Sequence, residues 1–186
     1  LEELTARVSL RSQVRRPTLN ELYRPYKVGS FYVAANENLV TERITGIEIG
    51  LDWTPSELCS TSVTLFQDHL RDSVANVSDP EAENNASRTN LNNSRTQGLE
   101  LSTKWFLTKE LSLRLHGLLM DTEVGSCPEN PGLVGNSFAQ VPKRRATATL
   151  LWTPTPWELR LDAHHESERF DDARNTRRLD DFLTLD

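Results

Sequence analysis

Few residues of this 186-residue chain are spaced to do chemistry. His164-His165-Glu166 sets two imidazoles beside a carboxylate, a group that could hold a metal or exchange a proton. Its value depends on the element beneath it. On a strand, side chains alternate between faces, so His164 and Glu166 share one side and His165 takes the other. The pair that remains has no third ligand nearby, fewer than a zinc site draws from its protein, so no metal site is expected. Asp68 and His69 also fall on opposite faces, which works against an acid–base pair for hydrolysis. Asp171-Asp172 lacks the spaced oxygen ligands and glycine of a calcium loop and reads as a solvated charged loop. The sequons at Asn76, Asn85 and Asn92 are expected by chance in an Asn-rich stretch. No catalytic residue and no cofactor follow from these motifs.

The elements that would have to position such groups are strands. All four tryptophans, Trp53, Trp105, Trp152 and Trp157, lie within two residues of short reversals at Thr54–Glu57, Leu107–Glu110 and Thr153–Pro156. Pro, Ser and Thr in those segments fix or cap a turn. Behind the first, Trp53, Leu51, Ile49 and Ile47 share one face and Asp52, Gly50, Glu48 and Gly46 the other. Trp105, Thr103, Leu101 and Leu99 repeat this against Lys104, Ser102 and Glu100, as do Trp152, Leu150, Ala148 and Ala146 against Thr149, Thr147 and Arg145. Trp157, Leu159, Leu161 and Ala163 oppose Glu158, Arg160, Asp162 and His164. The period is two throughout, as in strands with one apolar face.

Strands lie near Leu4 to Ser12, Arg43 to Trp53, Leu58 to His69, Leu91 to Phe106, Leu111 to Thr122, Val141 to Trp152, Trp157 to Glu168 and Arg178 to Leu185. Long connections run through Arg15 to Glu42, Asp72 to Asn90, Glu123 to Gln140 and Phe170 to Thr176. The polar stretch from Val77 to Arg95 is expected to be a mobile loop. Short turns sit at the tryptophan ends and long loops at the opposite ends. A transmembrane β-barrel has this asymmetry, with aromatic girdles at its interfaces.

A soluble ligand-binding β-sandwich also alternates, and it stands as the alternative. Against it, the chain is only 37% hydrophobic with a mean hydropathy of −0.53, and small residues such as Ala146, Ala148 and Gly117 suit a lipid-facing wall. No apolar run of about 18 residues exists for a spanning helix, whereas barrel strands need only about 9–11. The net charge of −6 argues against nucleic acid as a partner. Cys59 follows a short turn and Cys127 lies in a long loop at the other end of strands spanning about 25 Å. A disulfide needs Cα atoms within about 7 Å, so none is expected. The N-terminal Leu1-Glu2-Glu3-Leu4 has neither the basic nor the apolar region of a signal peptide, as expected of a mature protein or a fragment.

Longer motifs now become readable. Val14-Arg15-Arg16-Pro17-Thr18-Leu19-Asn20-Glu21-Leu22-Tyr23 resembles the segment Phe-Arg-Ala-Pro-Thr-Leu-x-Glu-Leu-Tyr of TonB-dependent outer-membrane receptors. Asn36-Glu37-Asn38-Leu39-Val40-Thr41-Glu42 is similar to that family's Asn-Pro-x-Leu-x-Pro-Glu. Leu65 to Val74, Gln97-Gly98-Leu99-Glu100 and Val141-Pro142-Lys143-Arg144 resemble further family motifs in order and spacing across nearly all of residues 1–186. Val14 and Arg16 replace Phe and Ala, and Glu37 and Thr41 replace both prolines, which loosens the second motif.

The resemblance implies an all-β fold: an antiparallel, up-and-down transmembrane β-barrel segment of roughly eight strands out of about 22, left as an open curved sheet with two unpaired edges. Plug, TonB box and final strand are expected to lie outside the chain. It further implies TonB-driven uptake of a scarce ligand, an iron-siderophore complex or cobalamin, in the outer membrane of a Gram-negative bacterium. Implied partners are outer-membrane lipid, a small metal chelate, and the TonB complex through the missing box and plug. An outer-membrane β-barrel enzyme is a further alternative. Expected ligand contacts are the loop residues Tyr23, Arg24, Tyr26 and Tyr32, since ligand sites combine rings with a few polar groups. The four tryptophans are the expected interfacial belt.

Overall fold

Leu4, Ala6, Val8 and Leu10 alternate with Thr5, Arg7, Ser9 and Arg11, and in the computed structural model this run is strand β1 (Glu3–Arg15). A one-turn helix α1 (Leu19–Tyr23) and a small hairpin, β2 (Tyr26–Val28) and β3 (Phe31–Ala34), fill the first long connection. The long strands β4 (Glu42–Ser56), β5 (Cys59–Ser78), β6 (Asn85–Phe106) and β7 (Leu111–Ser126) follow. Then come β8 (Arg144–Trp152), β9 (Leu159–Glu166), the short pair β10 (Arg169–Phe170) and β11 (Arg178–Leu179), and β12 (Phe182–Leu185). The structure describes residues 3–79, 82, 84–128 and 130–186. Leu1 and Glu2 of the N-terminal reading, and Pro80, Glu81, Glu83 and Glu129 of the expected loops, lie outside the described residues.

The sheet runs β1-β4-β5-β6-β7-β8-β9-β12, each strand antiparallel to the next along this path. β1 and β12 each pair on one side only, so the sheet is open. Among the described residues, strand packing runs chiefly between hydrogen-bonded neighbours, and the one separate sheet is the two-stranded pair β10-β11. A compact 21.1 kDa protein would expose about 9,000 Å²; this chain exposes 12386 Å². The surplus excludes a closed two-sheet sandwich.

Burial is inverted along the strands. Ile49, Leu51 and Trp53 are 49%, 48% and 45% exposed, while Glu42 and Asp68 are each 8% exposed. Soluble proteins rarely display contiguous apolar surface of this kind. What apolar core exists sits at the long-loop end, where Val77, Leu91, Val124, Cys127 and Leu133 cluster against Phe138 and Ala173.

Three expectations need correction. The stretch from Asp72 to Asn90 is mostly strand: β5 continues to Ser78 and β6 begins at Asn85, paired from Ser73↔Leu91 to Ser78↔Ala86. Composition suggested a loop because polar residues dominate, yet Val77 and Leu91 give the hairpin an anchor in the core cluster. The first short reversal occurs at Glu57-Leu58, not Thr54–Glu57, because the register shifts between Trp53 and Ser56 and lets pairing continue to Ser56↔Cys59. The expected last strand divides into β11 and β12, which pair with different partners, β10 and β9.

Candidate functional site: the polar face and its loop-end cavity

Three arginines four residues apart, Arg7, Arg11 and Arg15, share the polar face of β1. Each meets a carboxylate. Arg7 donates to Asp52 at 2.5 and 3.2 Å and reaches Ser62 Oγ at 3.3 Å. Arg11 bridges Glu48, at 2.7 Å, and Asp68 on the next strand. Arg15 forks onto both oxygens of Glu42 at 2.6 Å and onto Glu21 of α1. Glycine makes room for these forks: a Cβ at Gly50 would lie 2.8 Å from Arg7 Nη2, and one at Gly46 would lie 2.9 Å from Arg11 Nε. Gly98 plays the same part for the ring of Phe66, where a Cβ would lie 2.6 Å from Cζ.

At the other edge, Glu166 lies within ion-pair distance of Arg145 at 2.8 Å, Arg169 at 3.1 Å and His164 at 3.3 Å. His164 and Glu166 do share a face, and Phe182 closes the group beside His164 and Arg169. The carboxylate is taken up by guanidinium groups. Among the described residues, no three His, Cys, Asp or Glu converge as metal ligands. Cys59 and Cys127 are both free thiols.

The loop end is built around two buried polar anchors. Arg88, 6% exposed, donates to the backbone carbonyls of Asn20, Glu21 and Arg24 at 2.6, 3.2 and 2.9 Å. It thereby satisfies carbonyls that a one-turn helix leaves open and pins α1 to β6. Thr18 and Glu21 close the other end of α1 as a reciprocal capping box. Glu21 is held at about 2, well below the usual carboxylate value, chiefly by the Arg15 guanidinium and then, against a partial burial penalty, by the Thr18 N–H and hydroxyl.

Asp172 organises the last loop. Burial pushes its carboxyl up, but the N–H of Arg177, the hydroxyl and N–H of Thr176 and the N–H of Arg174 together hold it below the usual range. Those bonds measure 2.7 to 3.1 Å. This is a turn-building carboxylate rather than a solvated one.

Between these anchors lies a cavity of about 830 Å³ on the polar side, lined by Arg15, Tyr26, Phe31, Asn76, Phe138 and Arg177 among others. Ligand pockets span roughly 300–1,000 Å³ and mix rings with a few polar groups. Of the four expected contacts only Tyr26 lines it. Its ring sits 5.4 Å from the Arg88 guanidinium, and its hydroxyl accepts from Asn76 at 3.4 Å. Tyr23 projects from the end of α1, 64% exposed, and Arg24 contributes a carbonyl to Arg88. Tyr32 lines a separate hollow of about 330 Å³ beside Val77 and Ala86.

Trp53, Trp105 and Trp152 stand at the short-turn ends of β4, β6 and β8, and Trp157 sits in the turn before β9. The arginine ladder and Arg88 were not singled out from sequence. The ladder had a signal, since Arg7, Arg11 and Arg15 repeat every four residues, opposite Glu42, Glu48 and Asp52. Arg88, inside an Asn- and Ser-rich stretch, had none.

The model of the TonB dependent receptor-like β-barrel family matches residues 1–186. This chain belongs to that family. Solved receptors share its fold at low identity. The copper transporter OprC superposes with a TM-score of 0.77 at 16% identity, over 98% of this chain and 28% of that one. The ferric yersiniabactin uptake receptor FyuA from Yersinia pestis gives 0.72 at 17%, over 98% and 26%. The siderophore receptor PiuA from Acinetobacter baumannii gives 0.72 at 18%, over 98% and 26%. No curated protein sequence matches. The chain spans less than a third of the length of these receptors. The open sheet is therefore a segment of a TonB-dependent receptor barrel. The family comprises receptors and transporters, not enzymes.

Proposed function

We propose that this chain is part of the wall of an outer-membrane receptor that imports a scarce metal chelate, such as an iron-siderophore complex, with energy delivered by TonB to a plug inside the lumen. The observation that carries this reading is the cavity of about 830 Å³ at the loop end of the polar face, lined by Tyr26, Phe31 and Phe138 with Arg15 and Arg177 at its wall. Rings and guanidinium groups suit a planar or anionic chelate. Tyr26 is the primary contact, with Tyr23, Arg24 and Tyr32 meeting the ligand as it descends from the loops. Family membership supports a setting in the outer membrane of a Gram-negative bacterium, where the four tryptophans mark the periplasmic interface.

The test uses the full-length receptor as the sole uptake route in a metal-starved strain, offered ferric catecholate, hydroxamate and phenolate chelates, a copper chelate and cobalamin. One ligand is expected to restore growth only when TonB is present, and Tyr26→Ala is expected to weaken its binding by roughly tenfold, the loss of one ring contact of about 1–2 kcal/mol. Growth that persists without TonB would sink the proposal.

A further inference from the structure

Among the described residues, the charged groups on the wall of the cavity of about 830 Å³ are Arg15, Arg177, Glu42, Asp171 and Asp172. Carboxylates outnumber guanidinium groups by one, and neither guanidinium is free. Arg15 gives Nε and Nη2 to the two oxygens of Glu42 at 2.6 Å and Nη1 to Glu21 at 3.0 Å. Arg177 lies 3.3 Å from Asp171, whose other oxygen accepts from Gln140 at 3.1 Å. Asp172 is held by N–H groups and a hydroxyl of its own loop, which satisfy its oxygens without cancelling its charge.

A polyanionic chelate entering this wall would meet the carboxylate excess, and to gain a cation it would have to draw Arg15 or Arg177 from its acid. Glu42, only 8% exposed, would then be a nearly buried charge without its partner, which is strongly destabilising. An uncharged chelate meets neither cost. Tyr26, Phe31 and Phe138 offer it ring contact. Ser73 also lines the cavity, and its Oγ is buried with no hydrogen-bond partner among the described residues. A buried hydroxyl left open in this way is available to a ligand oxygen. We infer that the cavity selects by charge, taking a metal chelate of zero or positive net charge, such as a ferric tris-hydroxamate, and turning away polyanionic ones such as a ferric tris-catecholate. Asp171 is the carboxylate best placed to set this preference, since Glu42 also receives the Val74 N–H and Asp172 builds its turn. The inference rests on the chelate-uptake reading proposed above and narrows it to ligands without net negative charge.

The experiment takes the full-length receptor in maltoside detergent and measures dissociation constants, by quenching of tryptophan fluorescence, for three ferric chelates. These are a tris-hydroxamate bearing a free ammonium, the same chelate N-acetylated and so uncharged, and a trianionic tris-catecholate. The first two are expected to bind roughly tenfold or more tightly than the third, because like charges brought together at a binding surface oppose association. Raising the ionic strength is expected to strengthen catecholate binding and leave the uncharged chelate unmoved, since salt screens the repulsion. D171N, which frees Arg177, is expected to close most of the gap between those two chelates, whereas K109Q in a short turn leaves the gap as it is. Heat-modifiable gel mobility reports that each variant is folded, and the salt response of the wild type needs no variant. Catecholate binding as tight as that of the uncharged chelate, or weakened by salt, overturns the charge selection while the uptake reading stands; a D171N gap equal to that of the wild type overturns the part given to Asp171. If none of the three chelates binds, the uptake reading itself falls and the inference with it.

Discussion

Arg11 reaches two carboxylates on two different strands, and Asp68, 8% exposed, depends on it for both guanidinium bonds. Removing the cation while leaving the acid strands a nearly buried carboxylate, which costs more than removing both. Arg11→Met is therefore expected to destabilise the full-length receptor by about 1–3 kcal/mol, and Arg11→Met with Asp68→Asn to recover most of that loss. Urea unfolding in lipid vesicles measures it; a single variant with the wild-type midpoint would contradict this account. Arg7, more exposed, contributes less through its pair with Asp52. The difference lies in how deeply the acid is buried, which no spacing of Arg and Asp in a sequence reports.

At the scale of elements, α1 exists because one end is closed by its sequence neighbours and the other by a residue far along the chain. Five residues are too few to hold a helix by propensity. Thr18 and Glu21 cap the N-terminal end, Arg15 from β1 holds Glu21, and Arg88 from β6 takes the carbonyls. Because the folded Glu21 carboxyl titrates near about 2 and an unfolded one near about 4.3, its contribution is fully present above pH 4–5. It is lost only as pH falls through the folded value. Carbon-13 carboxyl NMR of the intact receptor, with Glu21→Gln to assign the signal, is expected to show a midpoint near 2; a midpoint near 4.5 would mean the cap does not form. No helix was expected at Thr18-Leu19-Asn20-Glu21, since the stretch carries no periodic apolar face; its Thr-x-x-Glu spacing was a signal left unused. The β5–β6 hairpin was missed for the converse reason. Its polar composition hid a few buried contacts, Val77, Leu91 and Ala86, that tertiary packing uses.

For the whole molecule, the surplus of exposed surface and the two one-sided strands have the same consequence. β1 leaves Leu4, Val8, Leu10 and Val14 at 66% to 77% exposure along an edge with no second neighbour. An open edge beside an aliphatic face is a template for further pairing. The 186-residue chain expressed alone is expected to aggregate in plain buffer and to remain dispersed only in detergent, as read by light scattering. A stable monomer without detergent would contradict the barrel assignment. The cavity also belongs to this scale, because its walls come from every strand from β1 to β7 and from the loops after β7 and β10.

Sequence alone determined the period-two strands, the apolar-out and polar-in faces, the short and long ends, and the family. These are properties of neighbours along one chain or of motifs in a fixed order. Only the tertiary structure decided which strand pairs at which register, that Arg7, Arg11 and Arg15 each meet an acid from another strand, and that Arg88 fastens α1. It alone brought Tyr26 to a cavity while placing Tyr23 and Tyr32 elsewhere. The physical reason is distance along the chain: alternation is set by local backbone geometry, whereas ion pairs and cavities form between residues tens of positions apart, and a bulge that shifts the register by one residue changes which of them face each other.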